Sequence, residues 1–248
     1  MLKKFAEQKY RDVTSILCFV AIGVAFFLLS GSSSFQITTN FLTNNAFASP
    51  NSTLFTPATR VLFNLEYRYV VLFLLALNVL KLIYKLYPIF KRWKINKKLY
   101  NYLDACIDSL SYSVFIVFLA LLAGLEDIST IIFVFIVSLT GLSLILFNNN
   151  SEEDGLRKNR KTGLILVILS WLLLIIYSVS TLTYGGVRST WYVYLLDLLG
   201  LKYLFLMVFK NKKWYPIKLK KQDREIFQYF SNLFLKLAFL IILAIGLS

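Results

Sequence analysis

Seven stretches of roughly 20 mostly apolar residues divide this chain, and each is long enough to cross a bilayer as a helix. They cover approximately residues 13–31, 61–86, 104–125, 127–148, 163–184, 190–209 and 226–247. Hydrocarbon offers backbone N–H and C=O groups no partners, so a run of this kind must satisfy them internally. Glu126 and Asp127 separate the third and fourth runs so briefly that only a tight hairpin fits between them. The first run follows a basic start, as a signal peptide would. It is long for that role and no clean small-residue cleavage site follows, so it reads as a membrane helix. The expected architecture is all-α: a single seven-transmembrane-helix domain over residues 1–248. A hydrophobic content of 58% agrees, being well above the roughly 45–50% of soluble domains.

The loops set the expected orientation, because lysine and arginine accumulate on the cytoplasmic side. One side carries Lys3, Lys4, Lys9 and Arg11, then Lys91, Arg92, Lys94, Lys97 and Lys98, then Arg157, Lys158, Arg160 and Lys161. It ends with Lys210, Lys212, Lys213, Lys218, Lys220, Lys221 and Arg224, whereas the other side has Arg60 and Arg188, with Arg68 at the start of the second run. The N-terminus is therefore expected in the cytoplasm and the C-terminus outside the cell, in a multi-pass integral membrane protein. The net charge of +14 would suggest nucleic acid in a soluble chain. Here the basic residues lie between apolar runs, where the partner is the lipid bilayer and nucleic acid is not expected.

The longest external connection, about residues 31–60, is rich in Ser, Thr and Asn but also holds Phe35, Ile37, Phe41, Phe47 and Phe55. Both a small β-hairpin capping the outer face and a solvated loop are open readings. Asn51-Ser52-Thr53 matches a glycosylation acceptor triplet. Cys18 and Cys106 lie on different runs and read as buried packing residues.

An ionisable residue inside a span is expensive and marks function unless it snorkels to a surface. Lys85, Glu66 and Arg68 lie near the ends of the second run and read as snorkelling or headgroup residues. Lys236 lies near the middle of the last run, roughly 17 Å from its outer end. A buried amine there either pairs with a carboxylate or condenses with an aldehyde as a Schiff base. Lys202, roughly 18 Å from the outer end of the sixth run, is a rival at similar depth. A buried cation needs an anion, and Asp104, Asp108 and Asp197 are the carboxylates within the spans. Asp104 and Asp108, spaced i, i+4, share a helix face. Trp171, Tyr177, Trp191, Tyr192 and Tyr194 could line a pocket, although aromatics at this spacing are more often core or interfacial belt.

Several segments together resemble the heliorhodopsins, retinal-binding seven-helix proteins with an inverted orientation. Ser109-Leu110-Ser111-Tyr112-Ser113-Val114-Phe115-Ile116-Val117 is similar to the family's serine-rich third-helix motif. Gly124-Leu125-Glu126-Asp127-Ile128 and Leu144-Ile145-Leu146-Phe147 resemble the hairpin after it and the fourth helix. Ser170-Trp171 with Ile176-Tyr177 looks like the family's Pro-Trp and Ile-Tyr, Lys236-Leu237-Ala238 its retinal-lysine segment, and Phe90-Lys91-Arg92-Trp93 the basic start of the loop after the second helix. The resemblance implies covalently bound all-trans-retinal on Lys236, with Ser111, Trp171, Tyr177 and Asn232 among its contacts, a β-structured first external loop and a homodimer. The family's glutamate counterion falls on Ile107 in an ungapped register and on Asp108 after a one-residue shift. Asp108 is the expected counterion, with Asp197 and Asp104 as alternatives. The chain has no histidine, and Lys81 stands at one of the positions where the family has a cytoplasmic-cavity histidine.

The function expected is a retinal-binding, light-sensing photoreceptor with a photocycle, signalling through an unidentified partner rather than pumping. The alternatives are a light-gated proton conductor of the same family, and a seven-helix transporter or membrane assembly subunit with no chromophore. Paired glycines and prolines typical of discontinuous transporter helices are absent from the run interiors. No phosphate loop, metal-ligand cluster or activated nucleophile is present either, so neither a catalytic residue nor a metal site is expected.

Overall fold

The computed structural model describes residues 34–44, 55–90, 97–147, 154–184 and 191–208, together with the helical positions Leu17, Val20, Gly23, Val24, Phe234 and Ala238. The expected first and last spans otherwise lie outside the described residues, as do Lys236, Asn232, Cys18, Trp93, Arg188 and Asn51-Ser52-Thr53. Two strands, β1 (Ser34–Asn44) and β2 (Phe55–Glu66), precede five helices. These are α1 (Tyr67–Phe90), α2 (Lys97–Leu122), α3 (Ile128–Phe147), α4 (Asp154–Tyr184) and α5 (Trp191–Val208).

The strands pair antiparallel from Ser34 opposite Glu66 to Asn44 opposite Phe55, with an irregularity between Ile37 and Thr38. The second apolar run therefore does not begin its helix at residue 61. Val61, Leu62, Phe63, Asn64 and Leu65 complete β2, and α1 starts at Tyr67. β-branched and aromatic residues at those positions suit a strand, and the partner strand supplies hydrogen bonds that hydropathy alone does not reveal. At the junction Arg68 Nε donates to the Glu66 carboxylate. The other described helices match their runs, except that α2 and α4 each begin about two turns or more before the apolar part, at Lys97 and Asp154.

The turn between α2 and α3 follows from two local signals. Leu125 N–H donates to Ala120 O at 2.9 Å and Gly124 N–H to Leu121 O at 3.0 Å, which is the Schellman arrangement. It needs a left-handed residue, supplied by Gly124 with φ of 93°. Asp127 then caps α3: its Oδ2 accepts from Thr130 N–H at 2.9 Å and from the Thr130 hydroxyl at 2.8 Å. The sheet is fastened to the same turn. Thr38 N–H donates to Glu126 O at 2.8 Å, Asn40 Nδ2 to Asp127 Oδ1 at 3.2 Å, and the Phe35 ring meets Phe118 edge-on.

The core lies where α2, α3, α4 and α5 converge, with Tyr112, Ile116, Leu119, Leu142, Ile145, Val167, Trp171, Leu174 and Leu196 buried. Backbones of α3 and α4 touch at Gly141 and Gly163. A Cβ at Gly163 would stand 2.5 Å from Gly141 O, and one at Gly141 would stand 2.8 Å from Gly163 O. Small residues permit such approach between membrane helices. On α4, Gly163, Val167, Ser170, Trp171 and Leu174 point inward, whereas Ile165, Ile168, Leu172, Ile175 and Ile176 are exposed. Both faces are apolar, as lipid requires and water would not tolerate over so large a patch. Among the described residues three segments are long and apolar enough to cross a membrane: Tyr102–Leu122, Ile128–Phe147 and Asn159–Ser180.

Candidate functional site

The functional face of α2 carries Asp104, Asp108 and Tyr112 at successive i+4 positions, which align along one side of a helix. From α1, Lys81 reaches the first two. Its ammonium pairs with Asp108 Oδ1 and lies 3.3 Å from Asp104 Oδ1. All three side chains are largely withdrawn from solvent, Lys81 to 13% exposure. In such surroundings the ammonium stabilises each carboxylate it meets and offsets the repulsion between them, since a partly buried charge alone would bear its desolvation uncompensated.

One turn further along, Tyr112 links three helices. Trp171 Nε1 donates to Tyr112 Oη at 3.1 Å, and the Tyr112 hydroxyl donates to Gly200 O at 3.3 Å. Gly200 is required by close approach: a Cβ there would lie 2.8 Å from the Trp171 ring and 3.0 Å from Leu119 and Phe115. Tyr112 and Trp171 are almost fully buried and Phe115 leans on Tyr112, forming an aromatic wall. Serines complete the polar trace along α2. Ser109 Oγ donates to Cys106 O, Ser113 Oγ to Ser109 O, and Ser143 Oγ of α3 donates to Ser109 Oγ at 3.4 Å. Local back-bonding of this kind lets hydroxyls sit inside an apolar bundle without an unmet donor.

Asp197 stands one turn before Gly200 on α5, and its Oδ1 is buried with no hydrogen-bond partner among the described residues. Tyr194 Oη, a turn earlier, is in the same condition. Lys202 is exposed, with its ammonium 5.9 Å from the centroid of the Phe234 ring, so it is not an enclosed amine.

The structure thus brings together Asp104, Asp108 and Lys81, and separately Trp171, Tyr112 and Gly200. Ser111 lies half-buried beside Tyr112. Tyr177 lies toward the α2–α3 turn: its hydroxyl donates to Gly124 O at 3.0 Å, sixteen residues after Asp108 in the chain. There it lines a small apolar cavity with Ala120, Ala123, Thr130 and Leu174. Cys106 corrects the expectation of a buried packing thiol, because it is exposed. It falls two residues from each aspartate, about 200° around the helix, so burial of the aspartate face turns it outward. Tyr112 and Gly200 were not singled out as site residues by their sequence, whose readable signal was only the i+4 row on α2.

A family model for the heliorhodopsins matches residues 8–244. The chain belongs to the heliorhodopsin family. No curated protein matches it. Membership implies a seven-helix integral membrane fold and a retinal-binding rhodopsin. The described residues fit such a chromophore. Tyr112, Phe115 and Trp171 offer an apolar wall, and the Asp197 oxygen without a partner among the described residues and the Asp108 carboxylate offer places for a positive charge.

Proposed function

We propose that this chain is a light-sensing photoreceptor which carries all-trans-retinal covalently on Lys236, completes a photocycle, and signals through a protein partner rather than pumping ions. The observation that carries the reading is the heliorhodopsin match over residues 8–244. Retinal, when bound, supplies visible absorption and a light-driven isomerisation. The chain's own groups then have defined tasks. The Lys236 amine is the point of attachment, and Asp108 supplies the opposing negative charge, with Asp197 and Asp104 as the other candidates. Trp171, Ser111 and Asn232 contact the polyene. Tyr177 contributes from the far end of α4, where Gly124 holds its hydroxyl.

The basic end faces the cytoplasm and the sheet lies outside the cell, following the distribution of lysine and arginine. A homodimer belongs to the same reading. Purified protein mixed with all-trans-retinal is expected to develop a visible absorption band that hydroxylamine bleaches and Lys236→Ala removes. Absence of a band, or its survival in Lys236→Ala, would overturn the assignment.

A second reading, light-gated proton conduction, is favoured by one observation: polar side chains continue from Asp108 toward the basic end through Lys81 and Asp104. Photocurrents under voltage clamp separate the two readings.

A further inference from the structure

Glycine holds α3 and α4 together at one level, where Gly141 and Gly163 meet backbone to backbone. Toward the α2–α3 turn the same two helices carry ordinary side chains, and a cavity of about 140 Å³ lies among them. Thr130 and Val134 of α3 line it together with Leu173, Leu174 and Ser180 of α4. On the α2 side the wall is Ala120 and Ala123, both buried and both too small to fill the space.

Three observations say what such a space holds. First, its lining is mostly apolar, and the hydroxyls on it spend their protons on the protein: Thr130 on Asp127, Tyr177 on Gly124 O and Ser180 on Ile176 O. A buried water needs roughly two to four polar partners, whereas an apolar cavity of about 150 Å³ stays dry and accepts a molecule such as benzene. Secondly, the cavity is open on one side. Val134 and Leu174 at its floor are 2% and 3% exposed, but Ile176 at its mouth is 54% exposed and belongs with Leu172, Ile175 and Val179 to the outward apolar face of α4. The mouth is therefore continuous with the lipid-facing surface. Thirdly, Thr130 and Ser180 stand at the ends of the apolar segments Ile128–Phe147 and Asn159–Ser180, so the cavity leads inward from the edge of the hydrocarbon.

We propose that this cavity is a binding site for one acyl chain of a membrane lipid, taken from the leaflet at the α2–α3 turn. A hydrocarbon segment passes Ile176 and rests against Ala120, Ala123, Val134 and Leu174. Moving a chain from lipid into an apolar pocket removes no surface from water, so the attraction is dispersion. Chain atoms supply contacts that the lining lacks while it faces a void. The site depends on membrane placement and not on retinal, so it stands or falls apart from the chromophore reading.

The test uses the full chain in nanodiscs of phosphatidylcholine with a diazirine at the middle of one acyl chain, the photolabelled residues being located by peptide mass spectrometry. Label is expected on the buried pair Val134 and Leu174 as well as on exposed Leu172 and Ile175. Ala123→Leu fills the cavity, so label should be lost from the buried pair and kept on the exposed one. Leu173→Ala adds no volume and runs no risk of overpacking. It should act in the opposite sense and raise the label on Leu174, which keeps the proposal testable where Ala123→Leu does not fold. Label confined to the exposed residues of the parent, or label on the buried pair that neither variant changes, would overturn the proposal. Loss of the buried label on binding all-trans-retinal would overturn it too, by giving the cavity to the chromophore. So would interchain cross-linking through Ile176→Cys with no label on the buried pair, which would give the mouth to a second copy of the chain.

Discussion

Asp127 at the sheet end and the Asp104–Asp108 pair within the bundle are the same residue type solving opposite problems. Asp127 lies at the edge of the apolar segment and takes its partners from backbone and neutral side chains: Thr130 N–H, the Thr130 hydroxyl and Asn40. Donation from Thr130 N–H, the largest influence, holds its carboxyl below the usual carboxylate range. Asp104 and Asp108 face a bundle in which backbone donors are already consumed by helix, so their charge must be met by another charge, and Lys81 provides it. The comparison teaches that the solvent around a carboxylate, more than its sequence neighbours, selects its partner.

The sharpest way to break this contrast is to withdraw the cation. Lys81→Met in retinal-free protein should lose roughly 3–5 kcal/mol, the usual consequence of leaving a buried charge unpaired. Thermal unfolding in detergent would measure it, and a loss below that of an Asp127→Ala cap deletion would sink the distinction. Next in size, Gly163→Ala forces apart the helix pair between the two regions and is expected to cost about 1–3 kcal/mol. The same melts would read it.

Asp127→Ala should cost about 1 kcal/mol, the ordinary value of a helix N-cap. Its pH dependence has a defined sign. Because the folded-state carboxyl titrates below its ordinary value of 3.8, the stabilisation is present above that pH and disappears as pH falls through the lower folded value. Parent and Asp127→Ala should therefore converge in stability in acid, and a gap of constant size would refute the cap's ionic character. The smallest effect is expected from Tyr177→Phe, which removes one hydrogen bond to Gly124 O and should cost about 0.5–1.5 kcal/mol. Thermal unfolding in detergent would measure it, and a loss larger than that of Asp127→Ala would reverse the order.

Much of the fold could be read in advance because hydropathy is a local property. The runs behind α2, α3 and α5 agree with the helices to within several residues, and the glycine and aspartate at the α2–α3 turn carry their conformations with them. The second run misled at its start, since Val61-Leu62-Phe63 is equally apolar in a strand or a helix and only pairing with β1 decides. For the external loop, the sequence left a hairpin and a solvated chain equally open. The structure has paired strands there, fastened to Glu126 and Asp127, residues more than 80 positions away from Thr38 and Asn40. At the site, the shared face of Asp104 and Asp108 was legible from spacing alone, but the outward turn of Cys106 was not read from it.

By itself, then, the sequence determined that the chain is an apolar helical bundle with a basic end, because burial in hydrocarbon and helix periodicity act over a few residues at a time. Tertiary structure decided which ionisable groups meet. Lys81 and Asp108 are 27 residues apart, Tyr112 and Trp171 are 59 apart, and Tyr112 and Gly200 are 88 apart. Such partnerships depend on how helices rotate and approach one another, which is settled by the interlocking of Gly141, Gly163 and Gly200 against their neighbours rather than by any local preference.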